Sequence, residues 1–273
     1  MAQTICRNSR CRARRLTAML LLGFAGPFAV AGGLPEGRLV DMSHPYNEDT
    51  IYWPTEKGFQ KTTGFEGITD KGYYYSAYSI KTAEHGGTHL DAPIHFAEGR
   101  HTTDQIPLER MMGDAAVIDV SAGASKNPDY LISVEDIERW EKTHGRIAEH
   151  AIVLFRTGYG KRWPDRATYL GTDAMGPEAV PLLHFPGSSP EAAQLLASAR
   201  QIDAVGIDTP SIDYGQSKYF KAHQILLGAN IPAFENVANL DQLPATGAVV
   251  IALPMKIEGG SGAPLRIVGI VPD

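Results

Sequence analysis

The stretch His85-Gly86-Gly87-Thr88-His89-Leu90-Asp91-Ala92-Pro93-Ile94-His95-Phe96 places three histidines and an aspartate within eleven positions. Nine histidines are spread over 273 residues, and one alone on an apolar strand is ordinarily a hydrogen-bonded core or surface residue. Three of them beside a carboxylate call for a different reading. If His89-Leu90-Asp91 is extended, positions i and i+2 set the imidazole and the carboxylate on one face while Leu90 turns into a core. Gly86 and Gly87 oppose a regular helix and let the backbone fold tightly enough to bring His85 alongside His89. Pro93 ends the run and turns His95 out of line with the other donors, where it can serve as a base and not as a fourth ligand. Imidazole and carboxylate donors converging within about 2.0–2.3 Å of one point suit Zn²⁺ or Mn²⁺. The segment therefore predicts a short strand carrying a divalent-metal site on His85, His89 and Asp91, with His95 as the catalytic base. That histidine is expected to titrate near its ordinary value of about 6.5.

Outward from this segment the pattern is of short strands separated by turns. Arg38 to Met42 reads as a first strand, and Ser43 to Phe65, rich in Pro, Gly and aromatics without periodicity, reads as loop. Tyr73 to Thr82 alternates and would deliver His85. The stretch Ala115 to Val120 is a third strand, followed by a helix capped by Ser133, with Glu135 and Asp136 in its first turn and Ile137, Trp140 and Ile147 facing inward. Next come a strand Ala151 to Arg156, a helix from Pro190 to Arg200 capped by Ser189, and a buried strand Ala204 to Ile207. Lys218 to Leu227 reads as a helix stopped by Gly228, and strands Val249 to Leu253 and Leu265 to Val271 close the chain. Strands mixed with few helices predict a mixed α+β (α/β) domain. No internal repeat or linker divides it.

Residues 1–31 read as a signal peptide, leaving one domain over residues 32–273. Arg7, Arg10, Arg12, Arg14 and Arg15 make a basic start without acids, Leu16 to Val30 is apolar, and Ala29-Val30-Ala31 is a small-residue cleavage site. The apolar run, interrupted by Gly23, Gly26 and Pro27, is short for a membrane span. An exported protein, periplasmic or secreted and free of the membrane after cleavage, is expected. Loss of the five arginines takes the formal charge from −6 to −11 and removes both cysteines, Cys6 and Cys11. The mature chain then has no disulfide, Cys nucleophile or thiolate ligand, and its acidity speaks against nucleic-acid binding.

The motif H-x-G-T-H-x-D-x-P-x-H-F, matched at every fixed position by His85 to Phe96, resembles the signature of the cyclase family of metal-dependent hydrolases, which includes bacterial kynurenine formamidases and isatin hydrolases. The resemblance extends from about Leu39 to the C-terminus through Ile51-Tyr52-Trp53-Pro54, Val205-Gly206-Ile207-Asp208, His223 with Glu235, and Gly259 to Pro264. It implies a compact swivelling β/β/α fold and a homodimer or higher homo-oligomer. It also implies that His223 and Glu235 join the metal ligands, with one or two ions per chain, and that Trp53 lines the substrate pocket. On spacing alone His223 and Glu235 mean little.

No serine nucleophile motif is present: Gly259-Gly260-Ser261-Gly262-Ala263 misses G-x-S-x-G and lacks its strand-to-helix context, so it reads as a tight turn or pocket-edge loop. Asp208, Ser211 and Asp213 are either partners of the histidines or a polar turn. The expected function is metal-dependent opening of an aromatic cyclic amide such as isatin, with hydrolysis of N-formylkynurenine second. Export favours the first, and related formamidases tend to have Gly-Asp where this chain has Thr55-Glu56. A periplasmic metal- or ligand-binding protein without turnover is the alternative of a different class, and an unliganded His95 is what separates it from an enzyme.

Overall fold

The computed structural model describes residues 36–273, so the signal peptide expected over residues 1–31 lies outside the described residues. Twelve strands and five α-helices run in the order β1 (Arg38–Asp41), β2 (Gln60–Ile68), β3 (Tyr74–Lys81), β4 (His89–Asp91), β5 (Met112–Asp119), α1 (Ser121–Ala124), β6 (Leu131–Ile132) and α2 (Val134–His144). They continue through β7 (Ile152–Arg156), α3 (Arg166–Leu170), β8 (Gly187–Ser188), α4 (Pro190–Gln194), β9 (Ala204–Ile207), α5 (Lys221–Gly228), β10 (Ala233–Glu235), β11 (Val249–Pro254) and β12 (Gly262–Val271). The class is mixed α+β, as the strand and helix pattern predicts.

Eight strands form one sheet in the order β1-β12-β11-β5-β7-β9-β10-β4, and β4 also pairs with β12, so the sheet closes into a barrel. Closure uses the length of β12. Its start, Gly262 to Pro264, pairs with Asp91 to His89, while Val268 to Val271 pairs with Asp41 to Arg38. Two short strands thereby share one edge of a long one, and few backbone groups are left open. The parallel strands β5, β7 and β9 are apolar on both sides, which is why they read as continuous hydrophobic runs. Alternate residues divide between two cores. Leu90, Leu154, Phe234 and Ile267 fill the barrel, whereas Val153, Phe155, Val205 and Ile207 meet Ile137, Leu196 and Leu226 of the helices outside. Each such buried side chain contributes about 1.5–3 kcal/mol.

Helix α2 starts where its cap predicts. Ser133 Oγ accepts from the Asp136 N–H at 3.2 Å, and the Asp136 carboxylate accepts from the Ser133 N–H at 2.9 Å. This reciprocal pair occupies two backbone donors at the helix start and contributes on the order of 1 kcal/mol. Ile137 is buried as expected. Trp140 is only half-buried, with its indole N–H donating to Val117 O at 2.8 Å, and Ile147 is buried beyond the helix end.

Several boundaries differ from the sequence reading. Strand β2 begins inside the supposed loop and pairs with β3 in a separate two-stranded ribbon; its residues lack alternation because neither face is buried in the chain. Helix α5 begins at Lys221, three residues late, because Phe220 sits in the left-handed region (φ 48°, ψ 51°). Gly228 is its last helical residue and Ala229 the cap. Strand β12 takes in Gly262 to Pro264, read from sequence as turn.

Candidate active site

Strand β4 is the floor of the site. In its antiparallel pairing with β10, His89 lies opposite Glu235 and Leu90 opposite Phe234. Directly opposed residues point to the same side, so His89, Asp91 and Glu235 share one face while Leu90 and Phe234 fill the barrel. Helix α5 covers that face and lowers His223 onto it. His223 Nε2 lies 3.2 Å from both Asp91 Oδ2 and Glu235 Oε1, and His89 Nε2 lies 3.2 Å from Asp91 Oδ1 and 3.4 Å from Glu235 Oε2. His85 comes from the turn before β4, its Nδ1 2.7 Å from Asp91 Oδ1. All but His85 are buried.

Glycines make the close approach possible. Gly87 has φ +57°, and a Cβ on Gly86 would lie 2.0 Å from the Tyr52 ring. On β12, Gly262 faces Asp91 across the sheet, and a Cβ there would meet His85 Cε1 at 2.4 Å and Leu90 O at 2.7 Å.

The remaining atoms of these side chains are held by the chain. His89 Nδ1 lies 2.9 Å from Gly87 O and His223 Nδ1 2.6 Å from Asp213 Oδ2, so each ring donates from Nδ1 and turns the lone pair of Nε2 inward. Asp213 also accepts from the backbone N–H groups of Ala222 and His223. Of the three polar residues singled out in that region, Asp213 thus meets a histidine. Asp208 instead accepts from Thr157 and Gly158, and the Ser211 hydroxyl accepts from the Asp213 N–H. Glu235 Oε1 accepts from the Ile212 N–H at 2.7 Å.

Protonation follows from this crowding. Burial opposes charge on Asp91, yet His85, His223 and His89 hold it well below the ordinary carboxylate range. Burial and the Asp91 charge push Glu235 up. Burial likewise opposes charge on His89 and His223, but the facing carboxylates raise both. In the absence of an ion the carboxylates and the Nε2 atoms of these rings pair with one another; with the rings neutral, the same convergence of two carboxylates and two imidazoles in a buried space is suitable for a cation. His85, His89 and Asp91 form one group of converging donors, and Asp91, His223 and Glu235 form another, so Asp91 is common to both. The donor set fits a divalent metal.

His95 belongs to neither group. It ends a single 3₁₀ turn, Pro93–His95, and its ring stacks on His85 with centroids 3.9 Å apart. Burial lowers it to about 4; the Asp91 charge opposes this, and the neighbouring imidazoles reinforce it. The ordinary value expected from sequence is therefore corrected: packing keeps this ring neutral well below pH 7.

All six residues border one cavity of about 370 Å³. Trp53 also borders it, in edge contact with Phe185 and with Phe220 at 6.3 Å, and Phe96 continues the wall 5.4 Å from Phe220. Sequence reasoning assigned no role to Phe220, Phe96, Glu84 or Ser261. Ser261 Oγ donates to Glu84 Oε2 at 2.6 Å and lies 3.0 Å from His85 Nε2. Their only signal was adjacency, Glu84 to His85 and Ser261 to a glycine run.

The Cyclase family model matches residues 40–214, including the whole motif. The chain belongs to the cyclase family. Isatin hydrolase of Roseibium aggregatum is 37% identical over 69% of this chain and 72% of its own length, and kynurenine formamidase of Salinibacter ruber is 32% identical over 84% and 96%. The solved structure of isatin hydrolase A from Labrenzia aggregata, bound to benzyl benzoate, superposes with a TM-score of 0.78 at 38% identity, covering 86% of this chain and 94% of that one.

Proposed function

We propose that this cyclase-family chain is a metal-dependent amidohydrolase that opens an isatin-like cyclic aromatic amide. The observation that carries the reading is His95: a neutral imidazole outside the converging donors yet stacked on one of them, inside an aromatic-walled cavity. A pure binding protein has no use for that group. The 37% identity to an isatin hydrolase supports the substrate class.

His85, His89, Asp91, His223 and Glu235 would hold the cation, Mn²⁺ or Zn²⁺, as one ion or as two sharing Asp91. Such an ion, when bound, lowers the pKa of water from 15.7 toward about 7 and polarises the amide carbonyl. Trp53, Phe96 and Phe220 orient a flat ring against the donors and exclude bulk water. His95 takes the proton of the attacking water and delivers it to the ring nitrogen as the C–N bond breaks, because an anilide anion is a poor leaving group; such transfer contributes roughly 10²–10⁴ in rate. Asp213 holds His223 in the tautomer that presents Nε2 to the site.

The test pairs metal analysis of the purified protein with turnover of isatin and N-formylkynurenine side by side. Preference for isatin supports the reading, preference for the formamide makes the chain an arylformamidase, and stoichiometric metal without turnover of either makes it a binder. We also propose export directed by residues 1–31, supported by their arginines and apolar run; activity confined to the cytoplasmic fraction would refute it.

A further inference from the structure

The His85 ring is held by more than the residues that converge with it. Its plane is set by His95, stacked with centroids 3.9 Å apart and 21° between the rings, and by Gly262, where a Cβ would come within 2.9 Å of Nδ1. What the plane leaves open is which ring nitrogen meets the other donors. Nδ1 lies 2.7 Å from Asp91 Oδ1, and Nε2 lies 3.0 Å from Ser261 Oγ. Turning the ring over about Cβ–Cγ would put carbon in both places and lose both contacts. Ser261 is itself tied down. Its carbonyl accepts from the Ala92 N–H at 2.8 Å, and its N–H and Oγ–H both donate to Glu84 Oε2, at 3.0 and 2.6 Å. A serine has one hydroxyl hydrogen, and here the carboxylate takes it. Toward His85 the Oγ is left to accept, so the hydrogen in that contact sits on Nε2.

Resting on the metal-dependent reading above, we infer that Glu84 is a positioning residue that acts through Ser261 to hold His85 in the tautomer presenting Nδ1 to a divalent cation. A neutral imidazole with its hydrogen on Nε2 has its lone pair at Nδ1, and Nδ1 is the atom that faces Asp91. Any hydrogen shared between Nδ1 and Asp91 is what a cation displaces. His89 and His223 are held the opposite way, donating from Nδ1 and turning Nε2 inward. One ring of the three thus depends on a side-chain relay, where the others rely on a backbone carbonyl and on Asp213. The short bond from a hydroxyl to a charged acceptor also draws hydrogen-bonding strength along the chain from Glu84 to His85 and makes the Nδ1 lone pair a better donor. Sheet closure brings the relay together, because Ser261 immediately precedes β12 where that strand pairs with β4.

Titration of the metal-free protein with Zn²⁺ against a competing chelator, joined to ¹⁵N NMR of the histidine rings in the Zn²⁺ form, tests this without any substrate. In the wild type His85 should carry its hydrogen at Nε2, and His89 and His223 theirs at Nδ1. Ser261→Ala and Glu84→Ala should each weaken Zn²⁺ binding roughly 10–100-fold with an unchanged circular dichroism spectrum. The double variant should bind no more weakly than the weaker single one, because Glu84 acts only through Ser261. Glu56→Ala removes a charge from the same cavity wall outside this chain of hydrogen bonds and should bind Zn²⁺ as the wild type does. Should Ser261→Ala not fold, Glu84→Ala carries the same expectation alone. Wild-type affinity in Glu84→Ala, losses that add in the double variant, an equal loss in Glu56→Ala, or a Zn²⁺-bound His85 with its hydrogen at Nδ1 would overturn the role of Glu84 and leave the metal reading standing. A wild type that takes up neither Zn²⁺ nor Mn²⁺ would overturn both.

Discussion

His95 and Asp91 are four positions apart and do opposite electrostatic work. Asp91 is kept charged in a buried place by the imidazoles around it, while His95 is kept neutral by burial and by those same imidazoles. A base must be neutral to accept a proton, and it must not be a ligand. His95→Asn should therefore retain metal content and fold while losing roughly two to four orders of magnitude in kcat, checked by metal analysis and steady-state kinetics on the same preparation. Loss of the metal in that variant would make His95 a ligand instead. A second lowered histidine lies away from the donors. His44 stacks on Trp163 at 4.1 Å with its Nε2 buried and unpartnered, and burial brings it to about 4 against the opposing charge of Asp41. The unfolded chain then binds a proton between about pH 6.5 and 4 that the folded chain refuses, so stability is full above pH 6.5 and falls as pH drops through that window. His44→Phe keeps the stack and should flatten the fall, narrowing the Tm difference between pH 7.5 and 5 by a few degrees.

Among the elements, β4 is three residues long and depends on its neighbours for every property that matters. Gly262 on β12 is the clearest case, because the space a Cβ would need is taken by the His85 ring and by a backbone oxygen of β4. Gly262→Ala should cost about 1–3 kcal/mol of stability through overpacking and weaken metal retention, read by thermal unfolding and metal analysis. Gly228 provides the contrast: nothing lies within 4 Å of its missing Cβ and its φ is ordinary, so Gly228→Ala should leave stability unchanged or raise it by up to about 1 kcal/mol. Phe220 illustrates how an element start can serve a site. Its left-handed backbone costs about 1–2 kcal/mol, and the residue sits in the aromatic wall three positions before His223.

Taken together, the barrel, α5 and the turn before β4 bring two buried carboxylates and three imidazoles to one place as converging donors. Metal binding should accordingly be a large stabilising contribution. Removal of the ion with a chelator should lower Tm by about 5–10 °C, as expected when a ligand present at ~100 times its Kd is withdrawn from a domain of this size, and restoring a divalent cation should recover it. An unchanged Tm would mean that the site does not hold metal in the purified protein.

The local spacing of His85, His89, Asp91 and His95 was sufficient to place three donors together and the third histidine apart, because side-chain direction in an extended run and the conformational limits of glycine and proline act within a few residues. Most strands and the cap of α2 were legible for the same reason. Glu235 and His223 were not: they lie well over a hundred residues from the motif, and nothing in their own neighbourhoods marks them, so only the likeness to the cyclase family pointed there. What brings them to Asp91 is the register of β10 on β4 and the packing of α5 over that face, both consequences of sheet closure through β12. Strand β2 stayed hidden because the usual signal for a strand is one buried face, and this one has none within its own chain. The low value of His95 was likewise invisible, since desolvation and the field of three other imidazoles exist only once the chain has folded around it.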